Sequence, residues 1–311
     1  IALRYVTEGP DQVLDEMIAF SHMEADCFMT DMIRRPFDLV KMKKAFSDWQ
    51  YKLAGKGWNA LYIENHDHSR VISRYGSEKY PLESGKMLAA MYILQRGTPF
   101  IYQGQEIGMT NIRLLSIDQY VDVSSIMNFH TYFKNAPMEK RMELIHHSSR
   151  DSARTPMQWS GEENAGFSEG KPWFFVNPNY PKINVAAEEE DKNSILHFYR
   201  RCLALRKHSK TLIYGTYREY FPRNKQLYIY ERVLGEVHYL IICSFSHLPL
   251  RCPIPKSYVG KKGQLVLCNY PEEEREGAEK LKQRARQLAE QIVTERGMLR
   301  PYEARVYRFR M

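Results

Sequence analysis

The stretch LYIENHDHSRVISRYG, residues 61 to 76, sets an apolar run directly before a dense polar cluster: Asn65, His66, Asp67, His68 and Arg70 follow within six positions. Glu64, His66, Asp67 and His68 are all metal-ligand types. Successive residues at a strand end alternate in direction, so neighbours converge on one ion only through a sharp turn, and a metal site is disfavoured. A second reading is structural: a turn that opens a helix, with Asp67 or Ser69 as its cap. A third is a pocket for carbohydrate or phosphate. There a carboxylate, an imidazole and a guanidinium hold hydroxyls or share charge beside aromatics such as Tyr62, Tyr75, Phe100, Tyr102 and Trp159. Those rings also sit at strand and helix spacings, which suits a core.

The elements that must position the cluster are legible around it. Residues 12 to 21, QVLDEMIAFS, suit a helix end or a strand, because a short apolar run has no decisive period. DLVKMKKAFSDWQYKLAG, residues 38 to 55, reads as an amphipathic helix with Leu39, Met42, Phe46, Trp49 and Leu53 on one face and Gly55 as its stop. NALYIEN (59–65) then reads as a buried strand, PLESGKMLAAMYILQRG (81–97) as a helix ending at Gly97, and TPFIYQG (98–104) as a second buried strand. Alternating helices and strands with tight glycine punctuation predict a parallel α/β architecture, whose chemistry sits at the C-terminal ends of the strands. Residues 105 to 190 form a long irregular region, and so long an excursion is usually functional. After the helix NSILHFYRRCLALRKHS (193–209) come short β-rich runs separated by Pro, Gly and Asn, which predict a small antiparallel sandwich over 211–311.

The bulk composition narrows the function classes. The chain has 311 residues, enough for two domains, and its 43% hydrophobic and 26% charged fractions are those of a globular protein. No apolar run approaches the ~20 residues that cross a membrane. The net charge of +8 invites a nucleic-acid reading, but the basic residues are dispersed among acids, so neither nucleic acid nor membrane is expected as a partner. Five scattered cysteines without a CxxC pair argue against a disulfide framework and for a reducing, cytoplasmic location.

Several long motifs, in order, carry a more specific signal: NHDHSRVISRYG, GKMLAAMYILQRGTPFIYQGQEIGMTN, SRDSARTPMQWS, NAGFSEGKPWFFVNPNYPKINV and LRPYEARVY. Together they resemble the α-glucosidase branch of glycoside hydrolase family 13, with the oligo-1,6-glucosidase group as the nearest pattern. The resemblance covers almost the whole chain; 271–297, with alternating charge at helical spacing, reads as a helical insertion. It implies the C-terminal part of a (β/α)8 barrel (strands six to eight) over residues 1–210, followed by the β-sandwich domain over 211–311. It further implies retaining hydrolysis that releases terminal α-linked glucose from a short oligosaccharide. Asp67 matches the family's third catalytic carboxylate, His66 the neighbouring histidine that hydrogen-bonds the same sugar, and Arg150 the arginine that closes the pocket at the non-reducing end. No cofactor or metal is implied for this chain; the calcium loop of some members lies in the N-terminal part of the family pattern.

Two departures shape the expectation. A retaining glycosidase needs a nucleophile and an acid/base about 5 to 5.5 Å apart, and the family places both upstream of the portion matched here. The opening IALRYVTEGP has neither of their motifs and no initiator methionine, so a C-terminal portion of a longer enzyme, inactive alone, is expected. Secondly, the family pattern Asn-His-Asp-Gln-Pro-Arg has His68 and Ser69 here, Gln105 replaces a glutamate, and Ser124 in VDVSS stands where a glutamate is common. The last exchange leaves 1,6 against 1,4 linkage open. Trehalose-6-phosphate hydrolases share most of these motifs, and a non-catalytic carbohydrate-binding descendant is the remaining alternative.

Overall fold

The computed structural model describes residues 2–7, 9–28, 30–270, 291–292 and 296–311. Three short strands, Glu16–Ile18, Trp58–Leu61 and Thr98–Pro99, form a parallel sheet with Trp58–Leu61 in the middle. Ile18 pairs with Ala60, and Ala60 with Thr98. Residues 12–21, open between helix and strand on sequence, therefore include a strand. The strands are shorter than expected because the chain leaves the ladder at Tyr62 and again at Phe100 to build loops.

The two connections are the expected helices. Leu39–Lys52 starts where the Asp38 carboxylate accepts hydrogen bonds from the amides of Val40 and Lys41 at 2.9 and 3.1 Å, a side-chain N-cap. Its inner face carries Leu39, Met42 and Phe46, but Lys43 is buried there too, with Nζ donating to Phe221 O and Leu227 O. Helix Pro81–Ile93 is buried on every side from Ser84 onward, as befits a helix between two layers.

The second layer is a six-stranded antiparallel sheet in the order Gln291–Ile292, Lys262–Cys268, Ala304–Arg310, Val237–Ser244, Leu227–Leu234, Thr216–Tyr220. Both faces are used, as the two-residue period of a strand allows. Tyr228, Tyr230, Tyr239 and Ile241 belong to the large core shared with helix Pro81–Ile93. Leu227, Ile229, Leu240 and Ile242 face a second core, completed by Cys252 and Leu299 of the small sheet Leu250–Pro253 with Arg296–Leu299. Two buried guanidiniums tie the layers. Arg206 donates to Ile93 O at 2.9 Å and to the carbonyls of Gln95 and Gly97, and Arg232 to Leu94 O, Leu212 O and Gly215 O at 2.7–2.8 Å. Burial pulls their pKa values down to about 10 and about 9.

The 105–190 excursion is less irregular than the sequence suggests. It contains helices Val123–His130 and Met138–Ser148 and its own apolar cluster around Ile112, Phe129 and Ile145. The helical insertion read near 271–297 falls largely outside the described residues; within it, Gln291–Ile292 and the first residues of Arg296–Leu299 are strand.

Candidate active site

The polar cluster begins as soon as the strand Trp58–Leu61 ends, and its first acid is structural. Glu64 is buried; Oε1 accepts from Arg70 Nη1 at 2.7 Å, and Oε2 from the amide of Val71 at 2.8 Å. Glu64 thereby serves the start of helix Val71–Arg74, the part assigned on sequence to Asp67 or Ser69, neither of which caps it. Arg70 is wholly buried and also donates to Gln103 O at 2.6 Å and Ser152 O at 3.1 Å, while its amide donates to Asn111. It bolts the strand end to two neighbouring loops. Gly104 keeps that space open: a Cβ there would come within 3.0 Å of Arg70 Nη1 and 2.2 Å of Met109 Sδ, at a φ of +85° that favours glycine. Burial pushes the Glu64 carboxyl upward in pKa against the pull of Arg70.

Between those fixed points the chain turns sharply, with Asn65 Oδ1 accepting the amide of Asp67 at 2.8 Å. The turn lifts His66 and Asp67 to the surface, with side chains 68% and 45% exposed. Asp67 sits among three cationic or ionisable groups. Arg154 Nη2 is 3.0 Å and Arg150 Nη1 3.4 Å from Oδ1, and His66 Nε2 is 3.3 Å from Oδ2. Arg154 also donates to His66 O at 2.9 Å, which fixes the turn. Arg150 is held from behind by buried Asp122, through Nε at 2.9 Å and Nη2 at 2.6 Å. Burial opposes ionisation of Asp122, but Arg150 and Ser125 prevail and its pKa falls; the bond to Asp122 raises that of Arg150.

Asp67, His66 and Arg150, three residues distant or adjacent in sequence, thus meet at one place. Beside them lies a cleft of about 280 Å³ whose lining includes Phe20, Cys27, Asp67, His68, Ser124 and Arg150. The aromatic walls proposed from sequence are not this lining. Tyr62 and Tyr75 are core residues, while Phe100 and Trp159 are about half exposed; the ring at the cleft is Phe20, from the end of the first strand. Sequence reasoning also passed over Arg154, although it stands in the same SRDSAR motif as Arg150, and Asp122, Asp31 and Arg74, whose roles depend on distant partners. No group of three or more metal-ligating side chains is found among the described residues. His66, Asp67 and His68 diverge: His66 contacts the outer side of Asp67, and His68 turns to Asp31.

The family description "Alpha amylase, catalytic domain" matches residues 3–215. The chain belongs to the α-amylase family, glycoside hydrolase family 13. It is 39% identical to an oligo-1,6-glucosidase of Parageobacillus thermoglucosidasius, covering 98% of this chain and 52% of that protein. Against a trehalose-6-phosphate hydrolase of Bacillus subtilis the identity is 35%, with 98% and 52% covered. Among solved structures, trehalose-6-phosphate hydrolase of Bacillus licheniformis superposes with a TM-score of 0.87 at 34% identity, over 99% of this chain and 54% of that one. Isomaltulose synthase from Klebsiella sp. LX3 gives 0.85 at 28% identity, over 98% and 52%. The chain spans about half the length of the curated relatives it matches. Within this family the three parallel strands are the C-terminal part of the (β/α)8 barrel, and the antiparallel layers beyond them form the β-sandwich.

Proposed function

We propose that this chain forms the sugar-holding part of a retaining α-glucosidase that releases terminal α-linked glucose from short oligosaccharides. Asp67 is the stabilising carboxylate, and His66 and Arg150 bind the same sugar. The observation that carries the reading is Asp67 itself: a half-exposed carboxylate at a cleft, held between Arg150, Arg154 and His66. Such a carboxylate accepts sugar hydroxyls, and it favours the oxocarbenium-like ring because charge develops there in a preorganised field. Arg150, braced on Asp122, forms the end of the pocket.

The nucleophile and acid/base are assigned to residues outside this chain. Both oxygens of Asp31 are engaged, by His68 and Arg74, and Glu24 is an exposed partner of Lys41. Without a nucleophile the covalent route is closed rather than slowed, so the chain binds but does not hydrolyse. Residues 1–210 are assigned to the barrel and 211–311 to the sandwich. The five cysteines are unpaired, in keeping with a reducing cytosol.

The experiment is release of p-nitrophenol from p-nitrophenyl α-glucoside by the purified 311-residue chain, beside its Asp67→Asn variant. No turnover, with the sugar bound by the parent and not by the variant, is the expected result. Turnover abolished by the Asp67 change would place the reacting carboxylates inside the chain and overturn the assignment of the nucleophile.

A further inference from the structure

The strand Leu227–Leu234 reads LYIYERVL, and its two-residue period places Glu231 on the same face as Leu227 and Ile229. That face is the apolar one, turned to the second core, so a carboxylate on it is out of pattern. The register shows what surrounds it. Glu231 pairs with Arg218 on one neighbouring strand, and Val233, next on the same face, pairs with Thr216 on one side and His238 on the other. Three strands thereby bring Arg218, Glu231 and His238 to one end of the face. The other end is closed by the small sheet. The polar end opens as a cleft of about 410 Å³, whose lining includes Arg218, Tyr220, Glu231, His238 and Ser257 beside Val233 and Met311. None of these residues lines the cleft at Asp67.

Glu231 is fixed in place, yet one of its oxygens is left over. Its side chain is 9% exposed, and Oε2 accepts from the hydroxyls of Tyr258 at 2.5 Å and Tyr220 at 2.8 Å. Oε1 makes no hydrogen bond among the described residues; Arg218 Nε stands 3.5 Å from it. Unlike the unpartnered Oε1 of Glu219, which is sealed inside, this atom is not closed to water. His238 shows the same pattern. Nδ1 lies 3.5 Å from the Tyr258 hydroxyl, while Nε2 has no partner among the described residues and is likewise open. A carboxylate nine-tenths buried with one oxygen unbonded carries a desolvation cost that the fold itself does not recover.

The mixture of groups selects the ligand. A phosphate or carboxylate drawn to Arg218 meets Glu231 beside it, and a cation drawn to Glu231 meets Arg218. A neutral molecule with adjacent donors and acceptors satisfies both. Vicinal hydroxyls of a sugar ring are such a pair, one donating to Oε1 and its neighbour accepting from the guanidinium. The partly buried ring of Tyr220, with Val233 and Met311, supplies the apolar surface that the C–H face of a sugar covers. We propose that this cleft of the sandwich is a further saccharide-binding site, in which Glu231 and Arg218 hold vicinal hydroxyls and His238 Nε2 holds a third. The site uses no residue of the Asp67 cleft and binds whether or not the chain hydrolyses.

The test is a long-range proton–nitrogen correlation spectrum of the 15N-histidine-labelled 311-residue chain, titrated with maltotriose, with the His238 signal assigned through His238→Gln. The expected result is a saturable shift of His238 Nε2 that persists in Asp67→Asn and weakens about tenfold in Arg218→Ala, the loss of one charged hydrogen bond. Arg218 is 68% exposed on the edge strand of its sheet, so its removal leaves the fold intact, and an unchanged circular dichroism spectrum checks this. Glu231→Gln keeps the shape and an acceptor for the two tyrosines, and is expected to weaken binding likewise. A His238 signal unmoved by maltotriose, or moved equally by glycerol or inorganic phosphate, would overturn the proposal. A shift at His238 abolished by Asp67→Asn would trace the response to the other cleft and overturn it as well.

Discussion

Arg150 is gripped by Asp122 through two nitrogens, Nε at 2.9 Å and Nη2 at 2.6 Å, which leaves Nη1 to face Asp67. The acid that aims the arginine is itself fixed: Asp122 Oδ2 accepts from the amide and the hydroxyl of Ser125, and so also caps helix Val123–His130. The reach of the guanidinium into the cleft is therefore set by the start of a helix in the 105–190 excursion.

Replacing Asp122 by asparagine separates these two duties. Asparagine caps a helix about as well as aspartate, so the helix and the fold are expected to survive. The charge-assisted grip on Arg150 is lost, and such bonds are about twice as strong as neutral ones. Calorimetric titration with an α-glucoside should show binding weakened about tenfold, with an unchanged circular dichroism spectrum. Unaltered affinity would mean that Arg150 does not meet the sugar.

Arg70 was read on sequence as a member of the functional cluster, and the structure gives it another task. With Glu64 it forms an ion pair whose two side chains are both fully buried. Removing one partner of such a pair leaves an uncompensated charge and costs about 3–5 kcal/mol. Arg70→Ala should therefore lower the urea midpoint steeply. Arg70→Lys should rescue little, because one ammonium cannot reach Glu64, Gln103 O and Ser152 O from a single point. A variant as stable as the parent would return Arg70 to the candidate ligands.

The contrast between Asp67 and Arg70 shows what was legible in the sequence. The order of helices and strands follows from local periods, and the structure reproduces it, although the two helices end at Lys52 and Ile93, ahead of Gly55 and Gly97. The meeting of His66, Asp67 and Arg150 came from the family resemblance, since nothing local to residue 67 indicates that residue 150 lies beside it. Composition could not separate the exposed Asp67 from the buried Glu64, three residues away, because burial is decided by Arg70 and by the loops it binds. Of the two readings open for the aromatics, the core reading holds for Tyr62 and Tyr75, while Phe20 reaches the cleft by leaving the first strand. Asp31, Asp26 and Arg74 gave no signal at all; their network joins a hairpin to a helix more than forty residues later.

The cysteines offer a test of the packing. Cys27 is 5% exposed, and burial, with Asp31 beside it, pushes its thiol up to about 12. Burial likewise raises Cys202, Cys243 and Cys252. The thiolate is the reactive form, so an aromatic disulfide reagent at mildly alkaline pH should leave these four unmodified in the folded chain. Cys268 is less shielded and should react first. Denaturant should release all five. Rapid reaction of Cys27 in the native state would show the hairpin beside the cleft to be open.

The network behind His68 should also be visible as a pH dependence of stability. Burial alone would raise the Asp31 pKa, but the bond from His68 and the charge of Arg74 outweigh it and hold the carboxyl at about 2. Asp26 is lowered in the same way, by His147 and Arg74 against its burial. A carboxyl whose folded pKa lies below its unfolded value of about 3.9 contributes stability that is complete above that value and is lost as pH falls through the folded one. The window for Asp31 is therefore from roughly pH 4 down to about 2. Urea unfolding of the chain and of Asp31→Asn across that range isolates the contribution, because every other titrating group is common to both. The difference in stability should shrink steadily as pH falls below roughly 4. A difference independent of pH would mean that Asp31 is not ionised against Arg74, and the clamp on His68 would lose its electrostatic basis.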